Sequence, residues 1–193
     1  MKDFLHNYSY SAVKMFVNQF AISIFGSMLA MATTAAENNT LSIIVSVLSV
    51  VFYLFLIYTL TWEIGAKDRI SVDIGKKKYR PHTGLLISAV ANIPNFVIAL
   101  VYSIGYPFME NHKWAGSVCA VVKMITIFLE GMYLGITTSV SVAGQQLNYY
   151  WWTYFIITIP ALLIAWIAYY LGYRNKKFTT LFDYKSPDKA NKK

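Results

Sequence analysis

The stretch LSIIVSVLSVVFYLFLIYTLTW, residues 41–62, contains no charged side chain and ends on a tryptophan. At 1.5 Å per residue, a helix of this length is about 33 Å long, enough to cross the ~30 Å hydrocarbon layer of a bilayer. Tryptophan is enriched where a helix leaves that layer. The stretch therefore predicts a membrane-spanning helix.

Three further apolar stretches have the length of a membrane span, and they cover residues 15–36, 85–106 and 151–172. Hydrophobic residues make up 56% of the chain and charged residues 13%, which is unlike a typical soluble domain. The sequence therefore predicts an all-α, polytopic membrane protein. Residues 1–173 are expected to form one helical membrane domain, followed by a basic tail at residues 174–193.

The first apolar stretch has an alternative interpretation as a cleaved signal peptide. Lys2 and Lys14 precede it, and residues 30–32 have the small-x-small pattern of a signal-peptidase site. Asn18 and Gln19 interrupt its apolar core, so a retained span is the favoured interpretation.

Small residues recur at helical spacing on this first span, at Ser23, Gly26, Ser27 and Ala30. Membrane helices use such a face to bring another backbone close. We therefore expect this face to favour association with a second copy of the chain or with another membrane protein.

A semi-apolar segment, residues 114–146, decides how many times the chain crosses. It contains Lys123 and Glu130. The free energy needed to insert these two charged side chains nearly cancels the favourable insertion free energy of its apolar residues. With four spans, the segment is a re-entrant hairpin or an interfacial helix pair, broken around Gly131 or Gly135. With five spans it crosses, and the basic tail faces the other side.

Basic residues concentrate at residues 63–83 and 174–193, and the net charge of the chain is +8. Cytoplasmic loops of membrane proteins collect Lys and Arg, so both segments are expected in the cytoplasm of a bacterial cell, and four spans are favoured. No nucleic-acid partner is expected. Within the first segment, residues 70–74 alternate polar and apolar and indicate a short hairpin or a surface-lying segment. Lys76, Lys77, Lys78 and Arg80 suit anionic lipid head groups, in addition to marking topology.

The third span carries a proline near its middle. Pro94 removes the hydrogen bond that the Val90 carbonyl would accept, which predicts a kink. Asn92 and Asn95 lie beside it and are expected to face the protein interior. These polar groups and the proline form one candidate binding site.

A second candidate site lies on the semi-apolar segment, where polar residues form one helical stripe: Cys119, Lys123, Thr126, Glu130, Tyr133 and Thr137. Ionisable residues within membrane segments are functional-site candidates. Lys123 and Glu130 are seven residues apart, too far to pair directly within one straight helix. Each therefore needs a partner elsewhere, and the two can pair with each other only if the segment bends. The candidate partners are Asn18, Gln19, Asn92 and Asn95. The alternative is that both charges extend to the membrane surface.

No catalytic, metal or cofactor motif is present, and His6, His82 and His112 lie at span ends without metal-ligand spacing. No catalytic residue, metal or cofactor is therefore expected. We expect a non-enzymatic small transport protein or an accessory membrane subunit of a larger transporter or envelope complex. The alternatives are a self-contained transporter that uses the kinked third span and an intramembrane hydrolase.

Overall fold

The computed structural model describes residues 2–176 of the chain. Eight α-helices run through this part: α1 Lys2–Ala35, α2 Asn39–Asp73, α3 Thr83–Ala91, α4 Ile93–Gly105, α5 Lys113–Glu130, α6 Leu134–Ser139, α7 Thr153–Ile156 and α8 Ile159–Tyr173. Short 3-10 turns lie at Tyr106–Phe108, Gly131–Tyr133 and Leu147–Tyr149, and strands β1 Ser141–Val142 and β2 Gln145–Gln146 form a small antiparallel hairpin. The predicted all-α class is confirmed. Residues 177–193, most of the predicted basic tail, lie outside the described residues.

Helices α1 and α2 form a long antiparallel hairpin. The chain turns at Glu37, whose φ is 52°. The Asn38 side chain then accepts a 3.0 Å hydrogen bond from the Leu41 backbone N–H. This cap supplies a partner to one of the N–H groups that a helix start leaves free, so α2 begins at a defined residue.

Helix α2 is 35 residues long and continues well beyond Trp62. The predicted hairpin or surface segment at residues 70–74 is wrong, because Ile70 and Val72 belong to the last turns of this helix. The helix ends only where Gly75 adopts a φ of 73°. The alternating pattern covers only five residues. Adding residues to an existing helix requires much less free energy than nucleating a new element, so the preceding helix continues through them.

Four helical runs are long and apolar enough to cross a membrane: His6–Ala35, Asn39–Asp73, Lys113–Ser139 and Thr153–Tyr173. Helices α3 and α4 together are also long enough, but they meet at an angle of 58°. Length and composition alone therefore allow four spans, or five if the bent pair counts as one. The direction in which the helices run decides between these counts.

One end of the bundle gathers the start of α1 and the ends of α2 and α8. The Tyr8 and Tyr169 hydroxyls both donate hydrogen bonds to the same oxygen of Asp68, at 2.5 and 3.0 Å. The Trp62 indole donates to the Lys176 carbonyl at 2.8 Å. We call the end of the bundle where Tyr8, Asp68 and Tyr169 meet the basic end, because the Lys- and Arg-rich residues 63–83 and the start of the basic tail lie there.

Helices α2 and α8 both end at the basic end, so they run in the same direction. Between them, residues 74–152 must therefore take the chain from the basic end to the opposite end, which requires an odd number of crossings. Together with α1, α2 and α8, one such crossing gives four in total. Five crossings would place the end of α8 opposite the end of α2, which the Asp68 contacts exclude.

The single crossing between α2 and α8 is made by α3 and α4. Helix α3 starts at the basic end, where the Tyr79 and Tyr173 rings lie 4.0 Å apart. Because the bend between α3 and α4 is 58°, less than a right angle, α4 continues away from the basic end. Helix α5 then packs antiparallel to α4, with the Cys119 thiol against Gly105, and so runs back towards the basic end.

Helix α6 reverses this direction. A side chain at Gly131 would meet Ser23 and Ser27 midway along α1, whereas the Gly135 N–H donates to Ser46 near the start of α2 at 2.8 Å. Ser46 precedes Asp68 by 22 residues, about 33 Å of helix, so α6 points away from the basic end. Helices α5 and α6 thus form a V with its apex at residues 130–131. The run Lys113–Ser139 is long enough to cross, but it returns to the end from which it started and is not counted as a crossing. This is the predicted re-entrant segment, with its break at Gly131.

Candidate functional site

The apex of the V is held by polar side chains of α1. Helix α5 ends at Glu130, whose φ of −133° and ψ of 21° are not helical, so carbonyls near this end lack their usual helical partners. The Leu129 carbonyl accepts hydrogen bonds from Gln19 Nε2 at 2.9 Å and Ser23 Oγ at 2.6 Å. The Tyr53 hydroxyl completes the arrangement by donating to Gln19 Oε1 at 3.2 Å. Irregular backbone inside a membrane needs hydrogen-bond partners from the protein. Polar residues of two membrane helices supply them here.

The small-residue face of α1 is buried against the same apex. Ser23, Gly26, Ser27 and Ala30 are all buried or backbone-packed in the structure. A Cβ on Gly26 would lie 2.6 Å from the Met132 Cα, so only glycine fits there without movement. The face therefore packs on the re-entrant segment of this chain, and its burial leaves it unavailable for the self-association or partner contact that we expected there.

Glu130 itself is buried, with 6% of its surface exposed. Its side chain accepts one hydrogen bond, from the Thr158 hydroxyl at 3.3 Å, and Thr158 also donates to the Tyr154 carbonyl at 3.1 Å. Thr158 was not among the sequence-predicted partners, because a lone threonine in an apolar span gives no signal of its own. A carboxylate at this depth is costly unless it is protonated or paired with a cation.

A small cavity of about 80 Å³ opens beside Glu130 between the two arms of the V and the start of the last span. Its polar lining comes from Lys123, Thr126, Glu130, Tyr133, Thr137, Asn148, Thr153 and Tyr154. Five of these residues belong to the polar stripe that the sequence predicted. Two buried lining atoms, the Tyr133 hydroxyl and Asn148 Oδ1, have no hydrogen-bond partner within the described chain. The cavity thus presents several oxygen atoms that a small guest would satisfy.

Lys123 lines the cavity without pairing with Glu130. Its ammonium lies 3.5 Å from the centre of the Tyr149 ring and 5.8 Å from that of Tyr102, which are cation–π contacts. Among the side chains that the structure describes, the ion pairs are Lys77 with Asp68 and Arg69 with Asp73. Lys123 therefore obtains its stabilisation from aromatic faces.

The Asn92–Pro94–Asn95 group forms a separate polar site. Asn92 Nδ2 donates to the Ser88 carbonyl at 2.8 Å, and Asn95 Nδ2 donates to Asn92 Oδ1 at 2.9 Å. Both asparagines are buried, as predicted from the polar face. The Asn92 backbone N–H donates to the Ser88 carbonyl at 2.9 Å, with the Val90 carbonyl, which the proline was expected to leave free, as a secondary acceptor. Neither asparagine lines the Glu130 cavity, so the structure does not combine the two sequence-predicted sites.

At the basic end, Asp68 joins four segments of the chain. Besides the two tyrosine hydroxyls, its carboxylate accepts a 2.9 Å salt bridge from Lys77, whose ammonium also lies 4.7 Å from the Tyr8 ring centre. In the sequence, Asp68 is one of three acids among the six Lys and Arg residues of positions 63–83. Its role depends on Tyr8 and Tyr169, which are 60 and 101 residues away, so no local pattern reveals it.

Comparison with protein-family models, with curated proteins and with solved structures finds no match for this chain. Within the described residues, no group of three or more His, Cys, Asp and Glu side chains is placed to hold a metal ion.

Proposed function

We propose that this protein is a non-enzymatic membrane transport protein, working alone or as the membrane subunit of a larger transporter, and that its Glu130 cavity holds a small cation or proton. The observation that supports this proposal is the Glu130 carboxylate at the apex of a re-entrant segment, with a neutral threonine as its hydrogen-bond partner. Ionisable groups placed this way in membrane proteins mark ion pathways and proton relays.

The chemistry of the cavity favours a small, hard cation over an organic solute. Its lining offers the carboxylate, the Asn148 amide oxygen and hydroxyl oxygens, which are the ligand atoms that hard cations prefer. Pockets for drug-sized molecules have volumes of about 300–1,000 Å³, several times that of this cavity. The Lys123 ammonium also lines the cavity, where its charge lowers the affinity for any bound cation, and its contact with the Tyr149 ring holds it on that side.

The Asn92–Asn95 site is the second candidate, as the substrate site of a self-contained transporter. It is favoured by one observation, the buried Asn95 Oδ1 atom, which has no hydrogen-bond partner within the described chain. A broken helix with polar groups at its break is a common arrangement in transporter binding sites.

The proposed orientation places the basic end in the cytoplasm of a bacterial cell. Because α2 and α8 run in the same direction, the Lys- and Arg-containing residues 63–83 and the start of the basic tail, Arg174 and Lys176, lie on one side. This is the distribution that the positive-inside rule describes.

The decisive experiment measures cation flux into liposomes that contain the purified protein. Vesicles loaded with a sodium- or pH-sensitive dye are given an inward Na⁺ or H⁺ gradient. Glu130→Gln should abolish the flux, because it removes the charge that the cation neutralises, whereas Glu110→Gln, a change at an exposed loop residue, should leave it intact.

Thermal melting of the same proteins provides a readout that does not require turnover, since a cation that binds the folded state raises its melting temperature. Wild-type protein should be stabilised by the transported cation and the Glu130→Gln variant should not. If the wild type shows neither flux nor cation-dependent stabilisation, the Glu130 proposal is wrong. Co-purification of a second membrane protein from native membranes would assign the subunit role.

A further inference from the structure

A second cavity, of about 260 Å³, lies at the basic end and is unrelated to the Glu130 site. It is formed where the start of α1, the loop before α3 and the first residue of α3 meet. Its lining consists of Phe4, Asn7, Tyr8, Lys76, Lys77, Lys78, Arg80 and Thr83. All four basic residues that the sequence marked as lipid-binding candidates therefore face one concave surface.

The four cations have different roles. Lys77 is tied to the buried Asp68 by the 2.9 Å salt bridge, which fixes its position and compensates its charge. Lys76, Lys78 and Arg80 form no ion pair with the side chains that the structure describes. Three cations that have no ion pair among the described side chains, gathered around one cavity, create a positive potential that attracts an anion.

The depth of the cavity matches the head-group layer of a bilayer. Trp62 closes the apolar part of α2, and Asp68 follows six residues later, about 9 Å further along the helix axis. The polar layer on each side of the hydrocarbon is roughly 5–8 Å thick, and Lys and Arg side chains reach across several ångströms of it. Because Lys77 pairs with Asp68, the loop that carries the three cations lies within side-chain reach of this layer.

We propose that this cavity is a phosphate-binding site in which Lys76, Lys78 and Arg80 contact the anion and the Asp68–Lys77 pair holds the loop that carries them. A lipid head group and a free phosphate share this chemistry, and the depth of the cavity favours the lipid. The site is independent of the cation role proposed for Glu130, so either proposal can fail alone.

Native mass spectrometry of the detergent-purified protein tests the site with three probes: phosphatidylglycerol, zwitterionic phosphatidylcholine and inorganic phosphate. The test variant changes Lys76, Lys78 and Arg80 to Gln. The control changes Lys67, Arg69 and Lys176 to Gln, which removes the same charge from exposed positions at the same end but outside the cavity.

Each basic residue that contacts the anionic head group contributes about a fivefold factor in affinity. The test variant should therefore bind phosphatidylglycerol about a hundredfold more weakly than wild type, and the control should change far less. Competition by inorganic phosphate would identify a soluble phosphate as a second source of the ligand. Equal losses in the two variants, or equal binding of both lipids by the wild type, would overturn the proposal.

A measurement on the wild-type protein covers the case in which the test variant does not fold. Phosphatidylglycerol should protect Lys76 and Lys78 from an amine-reactive reagent, while Lys67 keeps its reactivity. Identical modification of all three lysines with and without the lipid would refute the site without any substitution.

Discussion

Asp68→Asn is expected to destabilise the protein strongly, because Asp68 links α1, α2, α8 and the loop before α3. The substitution keeps the shape of the side chain but removes its charge and replaces one acceptor oxygen by an NH₂ donor. In the wild type, the Tyr8 and Tyr169 hydroxyls donate to one carboxylate oxygen and Lys77 donates to the other. The asparagine cannot accept all three bonds.

The expected magnitude follows from these contacts. A hydrogen bond to a charged group contributes about 1.5–3 kcal/mol, and weakening two of them costs about 2–4 kcal/mol. The Lys77 pair adds at most ~1 kcal/mol, because the lysine side chain is 33% exposed and water screens it. For a chain of 150–250 residues, about 3 kcal/mol lowers the melting temperature by roughly 6–12 °C.

Thermal unfolding in mild detergent measures this loss, with Asp73→Asn as the matched control. Asp73 also pairs with a basic residue, Arg69, but at 3.8 Å and with side chains that are 45% exposed for Arg69 and 65% for Asp73. Such a surface pair contributes about 0–0.5 kcal/mol, so this variant should melt within ~2 °C of wild type. Similar melting temperatures for the two variants would refute the structural role of Asp68.

Two further predictions test the packing and the crossing pattern. Gly26→Leu should lower the melting temperature, because a Cβ there would lie 2.6 Å from a backbone atom and overpacking costs about 1–3 kcal/mol or more. Val17→Leu, at a 55% exposed position, should leave the melting temperature unchanged. Equal melting temperatures for the two variants would contradict the close approach at Gly26. In a cysteine-free background, an impermeant maleimide added to intact cells should label Gln145→Cys but neither Lys67→Cys nor Lys176→Cys; labelling at 176 but not at 67 would establish five crossings.

The sequence contained enough information for the fold class and for part of the apex. A charge-free run of 22 residues ending in Trp62 identifies a span, because hydrocarbon excludes charge and requires every backbone group to be paired. The charges at Lys123 and Glu130 made a crossing by residues 114–146 marginal, and the basic tail favoured four spans over five. The packing face around Gly26 was also readable, since small residues at helical spacing have one main use in membrane helices.

The tertiary structure decided what these local signals left open. Whether residues 114–146 cross or return depends on the common direction of α2 and α8, which is fixed by Asp68 contacts between residues about 100 positions apart. The partner of Glu130 depends on the break at Thr158, where a hydroxyl from the last span meets the end of α5. A sequence pattern indicates whether each residue prefers lipid or water, and this preference depends only on the residue and its neighbours along the chain. Contacts between distant polar groups arise only when packing brings the helices together, so they follow from the fold as a whole.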